Sequence, residues 1–271
     1  MDLRGGVAVH AVKGERKHYQ PVESVLTDTA DPLVVARAFR EKLGLPELYI
    51  ADLDAIQGHG HHRELIARLA DQERMKLLVD AGAGDVESAL EILATGANKV
   101  IIGAETLTTW EALQAIRAAI PAGRLVFSLD MQAGLVLSRC SQLAASSPLE
   151  VLDSLYRAGW QEVILLDLAR VGTSAGVDRA LITETRRRFP ELALLIGGGI
   201  RDVSELGDLN AMGVAGALVA TALHRGTITR QHIAGLDRSD MLDPAKPLGS
   251  PRGKILHVDQ CDSGSIPPAS S

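Results

Sequence analysis

Leu43-Gly44-Leu45-Pro46-Glu47-Leu48-Tyr49-Ile50-Ala51-Asp52-Leu53 returns later in the chain as Ala158-Gly159-Trp160-Gln161-Glu162-Val163-Ile164-Leu165-Leu166-Asp167-Leu168, with Asp167 standing 115 residues beyond Asp52. Both segments do the same job: a short aliphatic run, fit for a buried parallel strand, stops on an aspartate. Two more pairs keep the order. Gly84-Asp85-Val86 and Val100-Ile101-Ile102-Gly103-Ala104 match Arg201-Asp202-Val203 and Ala217-Leu218-Val219-Ala220-Thr221, with Asp202 lying 117 residues beyond Asp85. Asp2-Leu3-Arg4-Gly5-Gly6-Val7 matches Asp130-Met131-Gln132-Ala133-Gly134-Leu135. Three pairs in one order predict a duplicated half. Two copies of a four-strand βα unit give eight parallel strands, which close as a (β/α)8 TIM barrel of about 250 residues; a doubly wound open sheet is the runner-up.

Outward from these pairs, seven strands are expected: Glu47 to Asp52, Lys76 to Asp80, Asn98 to Ile102, Arg124 to Asp130, Glu162 to Asp167, Leu192 to Ile196 and Ala215 to Val219. Helices start between them on readable caps. Asp31-Pro32 places proline in the first turn, while Ser147-Pro148-Leu149-Glu150 and Asp202-Val203-Ser204-Glu205 read as capping boxes. The first strand departs from its partner. Asp130 ends a full strand, whereas Asp2 has only Met1 before it, so strand one is expected to be truncated, either by an upstream translation start or by an incomplete stave. The expected domain is a barrel over residues 1–235, and 236–271, rich in Pro, Gly, Ser and Asp, is expected to be a disordered tail.

Composition narrows the function classes. Of 271 residues, 46% are hydrophobic and 3% aromatic, with a formal charge of −6, so a basic stripe and stacking platform for nucleic acid are missing. The longest nearly unbroken apolar run, Leu192 to Ile200, carries three glycines and is too short to span a bilayer. No secretion signal opens the sequence, and two cysteines, Cys140 and Cys261, make no disulfide framework. A cytoplasmic enzyme acting on a small molecule, without nucleic-acid or membrane partners, is the expectation; the oligomeric state is left open.

In a parallel barrel the chemistry sits at the carboxyl ends of the strands. Five aspartates are expected there: Asp2, Asp52, Asp80, Asp130 and Asp167. One such residue can be a turn former, but five crowded carboxylates repel, so that at least one holds its proton near neutral pH unless a cation intervenes. An ionised and a protonated carboxyl together suit acid–base catalysis. His59, His61 and His62, in the loop beside Asp52 and Asp54, are weak candidates for a Zn²⁺ or Ni²⁺ site. Lys13, Arg16, Lys17 and His18 lie in a long connection, the kind that covers a ligand or simply stays solvated. Cys140 has no base near it in sequence and reads as inert.

Asp2-Leu3-Arg4-Gly5-Gly6-Val7-Ala8-Val9, Gly14, Asp31-Pro32 with Ala36, Asp52-Leu53-Asp54-Ala55, Ser128-Leu129-Asp130, Gly172-Thr173 and Gly197-Gly198-Gly199-Ile200-Arg201 together resemble the HisA/HisF family of histidine biosynthesis, from Asp2 to about Gly226. The resemblance implies a barrel that handles a phosphosugar. It also implies that Asp2 is the base and Asp130 the acid of an Amadori rearrangement, aminoaldose to aminoketose. Phosphate is then expected on backbone N–H groups of Gly197, Gly198, Gly199, Ala220 and Thr221, with Gly172 and Thr173 beside it. The matching site in the first half would use Gly82 and Gly103, but Asp80 stands where that pattern has glycine and Gly84 where it has arginine. Ala169-Arg170-Val171 likewise replaces a second aspartate after Asp167. Because the family isomerase takes a doubly phosphorylated substrate, these departures imply a changed one. The chain is closer to the branch that accompanies methanopterin-linked one-carbon metabolism. The alternatives are therefore a lyase or synthase step in one-carbon cofactor synthesis, with Mg²⁺ on the aspartate ring, and a non-catalytic barrel that binds a phosphorylated ligand. The isomerase itself needs no cofactor.

Overall fold

The computed structural model describes residues 1–13, 15–45, 47–240 and 254–255. Its single sheet holds eight staves: β1 (Asp2–Arg4), β2 (Glu47–Asp52), β3 (Lys76–Asp80), β4 (Lys99–Gly103), β5 (Leu125–Gln132), β6 (Glu162–Asp167), β7 (Ala193–Gly197) and β8 (Gly216–Leu218). Neighbours from β1 to β8 pair in parallel and in chain order, which makes the protein a (β/α)8 barrel. Outside them pack the helices α1 (Pro32–Ala38), α2 (Arg63–Gln72), α3 (Val86–Ala94), α4 (Trp110–Ala119), α5 (Pro148–Arg157), α6 (Arg179–Arg188) and α7 (Val203–Ala211). Asp31 starts α1 by accepting from Leu33 N at 2.8 Å, and Ser147 with Glu150 forms the reciprocal box of α5. Asp202 caps α7, but Glu205 does not reach back to it. It accepts instead from Arg201 N at 2.9 Å and Val177 N at 3.2 Å, tying the loops after β6 and β7 together.

Period-two alternation sorts the strand residues into two layers. Leu78, Ile101, Val126, Ile164 and Leu195 fill the barrel interior. Leu77, Val79, Val100, Ile102, Phe127, Val163, Leu165, Leu194 and Ile196 face the helices and form the larger outer core. This parity decides which strand-end residues look into the barrel.

Strand one is short, as expected. β1 begins at Asp2, pairs Asp2 with Ala51 and Leu3 with Asp52, then turns at Gly5 and Gly6 into an antiparallel strand, Val7–His10. Among the described residues no ladder joins β1 to β8. Side-chain and loop contacts bridge that gap instead: His10 Nε2 lies 3.2 Å from Thr221 Oγ1, Val25 N donates to His224 O at 2.9 Å, and His224 Nδ1 lies 2.9 Å from Ser24 Oγ. A further helix, Arg230–Asp240, continues past Gly235, and Lys254–Ile255 adds a parallel strand to β8. The rest of the expected tail lies outside the described residues, as does Gly14.

Candidate active site

One cavity opens at the carboxyl ends of the staves and continues downward beside the short β1, past Leu48 and Ala217. Of the five aspartates, Asp2, Asp80 and Asp130 line it. Asp80 follows interior Leu78 by two residues, Asp130 follows interior Val126 by four, and Asp2 sits level with Ala51. Asp52 and Asp167 have the opposite parity, so the expected five-carboxylate ring, and the Mg²⁺ site drawn on it, is not assembled. Asp52 is fully buried and accepts from His62 N at 2.7 Å and lies 2.9 Å from His62 Nδ1. Asp167 pairs with Arg170 at 3.0 Å, and its Oδ1 takes Ala169 N–H.

Burial sets the electrostatics of the three that face inward. Asp130 is pushed up to about 8, by burial first and then by the negative charge of Asp80, against a 2.8 Å hydrogen bond from Ser128 Oγ. Asp80 is pushed up to about 7 by burial, with Glu105 adding to the rise and the Gly82 N–H opposing it. Asp2 is raised as well, by burial, while the Met1 ammonium, Arg16 and His10 favour its charged form. Tyr19, beside Asp2, is pushed up to about 12 by burial and stays a hydroxyl donor.

The glycine loop after β7 is dictated sterically as well as chemically. Gly198 (φ +93°) and Gly199 (φ +85°) line the cavity in the left-handed region. A Cβ on Gly198 would lie 2.5 Å from Asp167 O, and one on Gly197 would strike the interior side chain of Leu166 at 2.7 Å. Ala220 and Thr221 line the same end of the cavity, as does Gly172, whose Cβ would meet Ala11 O at 2.4 Å. Thr173 turns away, its hydroxyl donating to Arg170 O at 2.6 Å. In the first half Gly103 lines the cavity, but Gly82 does not; its N–H is held by Asp80 Oδ1 at 3.1 Å.

The histidine trio does not converge. His59 and His61 are exposed. Only His62 joins Asp52 and Asp54, their ligand atoms lying within 4.8 Å of one another, a set chemically able to hold a metal ion. In this structure those atoms are engaged. Gly6 N donates to His62 Nε2 at 2.9 Å and Gly5 N to Asp54 Oδ2 at 2.7 Å, so the cluster clasps the β1 turn to the end of β2.

Two functional features escape sequence reasoning. Glu105, two residues beyond β4, takes both guanidinium nitrogens of Arg16 at 2.5 and 2.6 Å, bringing the long connection down onto the mouth. Tyr19 and Tyr49 also face the cavity. A carboxylate just past a strand end was the available signal for Glu105; Arg16 is marked as part of a covering connection, but nothing local in sequence pairs the two.

The fold and its acidic, glycine-rimmed mouth define a (β/α)8 barrel with an enzyme-type site at the carboxyl end. The family described as histidine biosynthesis protein matches residues 1–229, and the chain belongs to that family. A relative from Thermus thermophilus is 30% identical over 84% of this chain and 94% of its own length. One from Deinococcus radiodurans is 30% identical over 84% of this chain and 93% of its own. Both are named as isomerases of an imidazole-4-carboxamide bearing two phosphoribosyl groups. An uncharacterized protein of Methanocaldococcus jannaschii is 31% identical over 86% of this chain and 95% of its own. The lyase alternative finds no support among these relatives. No helix among the described residues is long and apolar enough to cross a membrane.

Proposed function

We propose that the protein isomerises a phosphorylated small molecule, an aldose-type substrate converted to its ketose by Asp130 as general acid and Asp2 as general base. The observation that carries this reading is that strand parity turns both carboxyls into one cavity whose far rim is the Gly198–Gly199 loop with Ala220 and Thr221. Asp130, held up to about 8, carries its proton at neutral pH and can give it to a ring oxygen. Asp2, raised yet favoured in its charged form by Arg16, His10 and the Met1 ammonium, can take the proton from C2. Ketonisation of the resulting enol puts a proton on C1. Phosphate on the backbone N–H groups of the glycine loop would fix the sugar with those carbons between the two aspartates.

The test is incubation with a panel of phosphorylated aldoses and aminoaldoses in D₂O, followed by mass spectrometry. Ketose product with deuterium at C1 is expected, and its rate falls above about pH 8 as Asp130 loses its proton. Ligand binding without any ketose would make the barrel a binder and overturn the catalytic assignment.

A further inference from the structure

The end of the cavity formed by β3 and β4 is built for positive charge. Asp80 is nine-tenths buried; its Oδ1 is taken by Gly82 N–H, while its Oδ2 takes no hydrogen bond from any described residue. That free oxygen converges with Asp130 Oδ2 on the empty side of Gly103, where a Cβ would lie 3.4 Å from the first and 3.6 Å from the second. Glu105 completes the group. The protein already seats a cation here, since Arg16 reaches in from the connection and binds Glu105 through both nitrogens, both side chains being largely buried. Arg16 satisfies Glu105 and leaves Asp80 Oδ2 open to the cavity.

We propose that Asp80 is a specificity-determining residue that receives a protonated amine of the substrate, so that the substrate carries one phosphate at the β7–β8 end and one ammonium at the β3–β4 end. This rests on the reading that Gly198, Gly199, Ala220 and Thr221 take phosphate. A second phosphate is disfavoured at β3–β4 on two counts. The Gly82 N–H that would bind it is held by Asp80, and a dianion there would face the carboxyls of Asp80 and Asp130, Glu105 being already paired with Arg16. An ammonium meets the opposite field and completes the hydrogen bonding of Asp80 Oδ2. Since Asp80 is held up to about 7, an ammonium arriving on it also displaces the proton it carries near neutral pH.

Isothermal titration calorimetry of the full chain, in two buffers of different ionisation enthalpy, tests this with three probes: inorganic phosphate, linear ω-aminoalkyl phosphates, and alkanediol bisphosphates of matched length. The aminoalkyl phosphates are expected to bind about tenfold or more tighter than the bisphosphates, with net proton release. Asp80→Asn should lose about tenfold in affinity for the amine and none for inorganic phosphate. Asp80→Ser, verified by its melting curve, should do the same. Equal or tighter binding of the bisphosphate, or unchanged amine affinity in both variants, overturns the proposal while leaving the phosphate end intact. Failure of the wild type to bind either inorganic phosphate or an aminoalkyl phosphate overturns the phosphate reading and this inference with it.

Discussion

The loops after β3 and β7 occupy matching places in the barrel and have opposite chemistry. After β7, Gly197-Gly198-Gly199-Ile200-Arg201 presents bare backbone to the cavity: the missing side chains let Leu166, Asp167 O and Gly176 O close in, and two residues adopt positive φ. After β3, Asp80-Ala81-Gly82-Ala83-Gly84 places a carboxylate where that backbone would be, and the carboxylate consumes the N–H of Gly82. One difference in a repeated frame, Gly197 against Asp80 at the last interior position of the strand, thus separates the end proposed to take phosphate from one lined by carboxylate. The proposed acid–base pair, Asp2 and Asp130, lines the same cavity.

The largest expected effect is on chemistry. Asp130→Asn keeps the shape beside Ser128 Oγ but cannot transfer a proton, so turnover should drop about 10²-fold or more with the fold retained. Turnover measured against wild type on the same substrate decides it, and an unchanged rate removes Asp130 from the mechanism.

Backbone strain sharpens the contrast between the two loops. Gly198→Ala would force a side chain to φ +93° with its Cβ 2.5 Å from a backbone oxygen, costing about 2 kcal/mol or more. Gly82→Ala also places a side chain at positive φ, +72°, but its Cβ comes no closer than 3.0 Å, to Ile56 Cα, and it should cost less, about 1 kcal/mol. Urea midpoints of the two variants give the comparison, and the opposite ranking would mean that the β3 loop is the more constrained.

Asp80 makes a smaller, pH-dependent prediction. Its folded pKa of about 7 lies above the ordinary aspartate value, so the native state holds a proton that the unfolded chain has released. Stability is therefore lost as pH rises from about 4 through about 7. Asp80→Asn, which never ionises, should melt roughly 2 °C or more above wild type at pH 8 and level with it near pH 4. Thermal melts across that range check the sign.

Much of this was legible in the sequence. Glu47–Asp52, Lys76–Asp80 and Glu162–Asp167 are read residue for residue, because aliphatic runs bounded by caps and aspartates leave little freedom. The hairpin strand Val7–His10 is not, since a four-residue antiparallel return looks like loop until β1 is there to pair with it. Strand-end aspartates were visible, but not which face each takes. Parity needs one anchored interior residue, such as Leu78 for Asp80, and without it Asp52 and Asp167 look equal to the rest. His59, His61 and His62 are close in sequence, yet only His62 finds Asp52, because loop neighbours point independently once the turn is fixed. The Arg16 and Glu105 pair, 89 residues apart, is set by the path of the connection over the mouth.

The most direct test is the position of bound phosphate in a crystal of the protein soaked with an aldose phosphate. Phosphate oxygens are expected on the backbone N–H groups of Gly198, Gly199, Ala220 and Thr221, with the sugar between Asp2 and Asp130. Phosphate seated instead on the Gly82–Gly103 side, against Asp80, would contradict that placement.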